Sequence, residues 1–101
     1  MPFVRAAAIN EIEPGTIREC DVGGTLIALA HFGGKFFAIS NICLHRGGPL
    51  GQGELADEVV TCPWHGWEFN VQTGRCVLNP EMAVACYAVE VRGDEVFVDM
   101  G

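Results

Sequence analysis

Cys43-Leu44-His45-Arg46-Gly47-Gly48-Pro49-Leu50 and Cys62-Pro63-Trp64-His65-Gly66-Trp67-Glu68-Phe69 decide the reading of this chain. Each stretch opens on a short clip that pairs one cysteine with one histidine, and 16 residues separate His45 from Cys62. Two thiolates and two imidazoles can serve a [2Fe–2S] centre in which one iron takes the thiolates and the other the imidazoles. The same donor set also suits tetrahedral zinc. Zinc knuckles usually draw both thiolates from one C-x₂₋₄-C clip, whereas each clip here mixes its ligands. Gly47, Gly48 and Gly66 have no side chain, so backbone N–H groups could approach bridging sulfides closely.

Both stretches resemble the two cluster-binding boxes of the Rieske family. The resemblance extends over almost the whole chain, and its specific part is residues 41–69. It implies an all-β Rieske fold, an antiparallel β-sandwich base with an inserted cluster-binding subdomain. It also implies one Rieske-type [2Fe–2S] cluster, with Cys43 and Cys62 on an inner iron and His45 and His65 on an outer iron near solvent. Arg46, Gly47, Gly48, Trp64, Gly66, Trp67 and Pro80 are expected around it, with the two indoles flanking His65 and shielding the cluster from water. The family's proline loop is represented by Asn79-Pro80.

Departures from the high-potential branch of that family bear on tuning. Gly48 and Trp64 stand where those members carry the cysteines of an inter-loop disulfide. Trp67 and Phe69 stand where they carry Ser and Tyr hydroxyls. Fewer donors to sulfur leave an added electron less stabilised, so the potential is expected near the low end of the Rieske range, roughly −150 mV.

Rieske oxygenases need a second, mononuclear iron held by two His and a carboxylate. The chain has three histidines, and His31 alone cannot build that site. His31 is expected to be an exposed turn residue. The resemblance therefore implies a non-catalytic electron carrier, a ferredoxin component of an aromatic-ring dioxygenase system. Its partners would be a flavin-containing ferredoxin reductase and a terminal oxygenase. A small redox subunit of a larger enzyme, such as nitrite reductase, is the alternative reading; a structural zinc module is a more remote one.

The rest of the chain fits this picture. Its 101 residues allow one domain with one core. The net charge of −7 argues against nucleic-acid or anionic-membrane partners and suits a basic face on a redox partner. Apolar runs such as Leu26 to Ala30 are far short of the ~20 residues of a membrane span, and a cytoplasmic location is expected. Cys20, Cys76 and Cys86 are expected to be small buried hydrophobes.

Short apolar runs separated by Gly-rich turns predict strands. These are Phe3 to Ala8, Ile17 to Asp21, Leu26 to Phe32, Lys35 to Ser40, Glu54-Leu55, Val59 to Thr61, Trp67 to Val71, Arg75 to Leu78, Ala85 to Val91 and Glu95 to Asp99. No segment carries a sustained helical period. The family resemblance divides this single domain into a base, residues 1–40 and 82–101, and a cluster-binding subdomain at about 41–81.

Overall fold

The computed structural model describes residues 3–43, 47–64 and 66–100. Ten strands run in chain order: β1 Phe3–Ala8, β2 Thr16–Val22, β3 Thr25–Phe32, β4 Lys35–Ser40, β5 Glu54–Ala56, β6 Val59–Thr61, β7 Glu68–Asn70, β8 Cys86–Tyr87, β9 Val89–Arg92 and β10 Glu95–Asp99. They form three antiparallel sheets, ordered β1-β10-β9, β2-β3-β4-β8 and β5-β6-β7. Single 3₁₀ turns at Ile9–Glu11 and Leu50–Gln52 are the helical elements among the described residues. The expected all-β, antiparallel architecture is the one observed.

Strand β3 explains why its sequence reads as an unbroken apolar run. Successive side chains of a strand point to opposite faces. Ile27 and Leu29 face a core shared with Cys20, Val22, Ala38, Val96 and Val98, between the central sheet and the β1-β10-β9 sheet. Ala28 and Ala30 face a second core, shared with Ile17, Ile39, Leu50, Val60 and Phe69. All four β3 residues are fully buried. Covered on both faces, the strand has no polar side to show. The small Ala28 and Ala30 leave room for Phe69, the largest fully buried side chain.

Two expected features differ. Arg75 to Leu78 forms no strand but makes isolated bridges, Phe69 with Cys76 and Arg75 with Ala83. After Gly74, with φ of +78°, the chain pairs too irregularly for a ladder. Ala85 to Val91 is split: β8 pairs with β4, and β9 leaves to pair with β10. One continuous strand could not serve both sheets.

His31 is not an exposed turn residue. It lies in β3, half-buried, with its ring stacked on Phe36 at a centroid separation of 4.1 Å. Its Nδ1 lies 2.8 Å from the Ile12 carbonyl, so that nitrogen carries the proton. Its strand partner in register is Phe36, which places the two rings on one face. Cys20 and Cys76 are buried as expected, but Cys86 is exposed. It sits on the two-residue edge strand β8, where its thiol reaches the Gln72 carbonyl at 3.5 Å.

Candidate metal centre

Cys43 and Cys62 follow different strands, β4 and β6, yet their loops close in the same way. The Cys43 N–H donates to the Gly48 carbonyl at 2.9 Å, and the Gly47 N–H donates back to the Cys43 carbonyl at 2.8 Å. In the second loop, the Cys62 N–H donates to the Trp67 carbonyl at 2.7 Å, and the Gly66 N–H donates to the Cys62 carbonyl at 3.1 Å. Gly47 has φ of +74° and Gly66 of +75°. That left-handed conformation is costly for side-chain-bearing residues, so each clip ends in glycine where the chain folds back on its cysteine. The clips differ in length, C-x-H against C-x-x-H, but the bonding frame around each cysteine is shared.

The two loops meet at Gly48. A Cβ built there would lie 2.7 Å from Cys62 Sγ, 3.1 Å from Trp64 Cγ and 3.2 Å from Trp64 Cδ2. The second loop therefore packs its sulfur and its indole directly on the backbone of the first. Cys43 and Cys62 are each 2% exposed. They belong to one buried cluster with Phe69 and Cys76, and Trp67 packs against it. No disulfide is formed among the described residues.

Of the expected site residues, Cys43, Cys62, Gly48 and Trp64 come together in this way, and Gly47, Gly66 and Trp67 shape the loops. His45, Arg46 and His65 lie outside the described residues. Trp64 remains 57% exposed, covering Gly48 and the Cys62 sulfur on one side and meeting solvent on the other. Pro80 is exposed in a turn closed by the Met82 N–H donating to the Asn79 carbonyl at 2.9 Å. Its own carbonyl accepts from Arg75 Nη1 at 2.9 Å. Ile42 and Leu78, 62% and 83% exposed, put apolar surface on the first loop and on the segment before Pro80.

Sequence reading missed the residues that fasten the first loop. Asn41 is the buried polar side chain among the described residues. Its Oδ1 accepts from the Gly51 N–H at 2.7 Å, and its Nδ2 donates to Glu19 Oε2 at 2.7 Å. Gln52 Nε2 donates to Glu19 Oε1 at 3.0 Å. These hydrogen bonds, from Gln52 first and then Asn41, hold the Glu19 carboxyl below its ordinary value. Glu19 belongs to β2, remote in sequence from both boxes, and no local pattern marks it.

The donor set suits an iron–sulfur cluster. Two buried thiols stand on similarly closed loops, and backbone approaches Cys62 Sγ as closely as only glycine at Gly48 permits, which suits thiolate ligands backed by main-chain groups.

The comparisons with known proteins agree. The Rieske [2Fe-2S] domain family matches residues 3–88. The ferredoxin CarAc of Metapseudomonas resinovorans is 35% identical over 98 residues, 95% of this chain and 92% of that protein. The solved ferredoxin of carbazole 1,9a-dioxygenase from Nocardioides aromaticivorans IC177 superimposes with a TM-score of 0.88 at 33% identity, covering 97% of both chains. A chain in the solved complex of reduced oxygenase and oxidised ferredoxin in carbazole 1,9a-dioxygenase gives 0.86 at 34% identity, over 97% of this chain and 93% of that one. Clips, loop frame, fold and relatives all converge: the chain belongs to the Rieske [2Fe–2S] family.

Proposed function

We propose that Cys43, His45, Cys62 and His65 hold one Rieske-type [2Fe–2S] cluster, and that the chain carries single electrons from a reductase to a terminal oxygenase. The observation that carries this reading is the convergence of the two glycine-closed loops on Cys62 Sγ and Gly48. The cluster supplies reversible one-electron chemistry when bound. The protein's own part is to hold the site and present it. Buried Cys43 and Cys62 keep their sulfurs out of water. Trp67 and the Phe69 core back the loops. Exposed Ile42, Trp64 and Leu78 offer apolar contacts to a docking partner, as transient redox encounters need only a small interface.

The relatives named as ferredoxins support the carrier role, and the solved ferredoxin–oxygenase complex supports an oxygenase as acceptor. A flavin-containing reductase as donor is our inference from such systems. So is the absence of catalysis by the chain itself: His31 is committed to Ile12 and Phe36. No helix among the described residues is long and apolar enough to cross a membrane, and a cytoplasmic location belongs to the same proposal. We further assign residues 41–81 to the cluster-carrying insert and residues 1–40 and 82–101 to the base. The separate β5-β6-β7 sheet and the bond from the Ser40 N–H to the Ala85 carbonyl, 2.8 Å at the stem, support that division.

Stopped-flow mixing of the reduced chain with an aromatic-ring oxygenase tests the role. Re-oxidation of the chain should be rapid. Its rate should fall with ionic strength if a basic face on the oxygenase meets this acidic chain. Failure of such oxygenases to re-oxidise it would reject the carrier reading.

A further inference from the structure

We propose that Glu19 of β2 is a positioning residue for the cluster, clamping the neck of the loop that carries Cys43 and His45. The inference rests on the assignment of those two residues as ligands and adds a device outside both boxes. The loop leaves the base at Asn41 and returns at Gly51 and Gln52. One carboxylate oxygen of Glu19 accepts from Asn41 on the outgoing stem, and the other accepts from Gln52 on the returning stem. Asn41 then ties the stems to each other, through its side chain to the Gly51 N–H and through its carbonyl to the Leu50 N–H at 2.8 Å. An isolated bridge between Ile42 and Pro49 continues the closure.

The neck also sits directly on the base. A Cβ at Gly51 would lie 2.6 Å from Glu19 Cγ and 2.7 Å from the Glu19 backbone nitrogen. The stem can move away from β2 only by breaking these contacts. Polarity dictates the residue types. Asn41 and Gln52 both present amide donors to position 19, so a carboxylate, which only accepts, satisfies both. Asn41 cannot rotate its amide to relieve a mismatch, because its Oδ1 is held by the Gly51 N–H. A glutamine at position 19 would keep its carbonyl for Asn41 and force the exposed Gln52 amide to turn and accept, and both charge-assisted bonds would become weaker neutral ones.

That polarity gives a rescue experiment in the full chain loaded with its cluster. Glu19→Gln replaces two charge-assisted bonds with neutral ones, and Asn41→Asp sets carboxylate against carboxylate. In the double variant Glu19→Gln/Asn41→Asp, the new amide at position 19 donates to the new carboxylate at position 41. That carboxylate still accepts from the Gly51 N–H, and the carbonyl of the new amide accepts from Gln52. Every group is paired again. Each single variant should release iron to a chelator about tenfold faster, since a lost charge-assisted bond is worth about that factor. Each should also shift the EPR g-values of the reduced protein. The double variant should return to within about twofold of the original rate and restore the g-values. Gln52→Ala, at an exposed position, removes one pin only, is not expected to impair folding, and should show a smaller acceleration.

Original release rates in all variants, or a double variant as impaired as the two singles combined, would overturn the clamp. So would lowered melting temperatures with unchanged g-values and release rates, the mark of a purely structural residue. Cys43→Ala, which leaves no donor atom at that position, is run in parallel and separates the two claims. A cluster retained there rejects Cys43 as a ligand, whereas a cluster lost there with original rates in the Glu19 and Asn41 variants rejects the clamp alone.

Discussion

Gly48 stands where any Cβ would come within 2.7 Å of Cys62 Sγ, with the Trp64 indole 3.1 Å away. The two boxes are thus joined by a glycine-on-indole contact, at the positions where high-potential relatives of the resemblance place a disulfide. Gly48→Ala should force the loops apart, costing about 1–3 kcal/mol as overpacking does. Cluster occupancy should fall, which iron and acid-labile sulfide assays of the purified variant would report. Full occupancy would mean that the loops separate without consequence.

Gly66 tests the backbone alone. A Cβ there meets nothing within 4 Å among the described residues, but φ is +75°. Gly66→Ala should therefore cost about 1–2 kcal/mol from conformation only. Gly66→Asn should cost less, because asparagine visits the left-handed region more readily. At roughly 4–8 °C per kcal/mol for a domain of this size, thermal melting should rank glycine above asparagine above alanine.

Much of this was legible in the sequence because it is local. Alternation and Gly-rich turns mark Lys35–Ser40 and Glu95–Asp99 as strands, and the clips mark Cys43 and Cys62. What stayed hidden depends on partners far along the chain. The placement of His31 follows from Phe36 across a hairpin and from the Ile12 carbonyl. The exposure of Cys86 follows from β8 being a short edge strand. The division of Ala85–Val91 between two sheets follows from competing partners. Glu19 reads as a surface acid in β2, and only folding brings Asn41 and Gln52 to its two oxygens.

Acidity should expose that carboxylate. Hydrogen bonds from Gln52 and Asn41 hold it below the ordinary value of 4.5. A depressed carboxyl contributes its full stabilisation above the unfolded value and loses it as pH falls through the folded one. The difference in iron-release rate between the original protein and Glu19→Gln should therefore be constant above pH 4.5. It should shrink at lower pH, where the glutamate gains the proton that glutamine mimics. A difference that widens in acid would contradict this.

Phe69 is fully buried in the core that contains Cys43 and Cys62. Phe69→Tyr should raise the reduction potential by donating a hydrogen bond to a cysteine sulfur. The rise should be at most about 130 mV, the one-electron equivalent of about 3 kcal/mol for a charge-assisted bond. Film voltammetry measures it. An unchanged potential with a lowered melting temperature would show a hydroxyl buried without a partner.

The most direct test of the assigned ligands is pulsed EPR on the dithionite-reduced His31→Gln protein labelled with ¹⁵N-histidine. Only His45 and His65 then remain as imidazoles. The account predicts a rhombic signal averaging below the free-electron value, with two distinct ¹⁵N couplings of directly bound nitrogen. Loss of either coupling on removing His31, or stoichiometric zinc without sulfide in the natively produced protein, would contradict it.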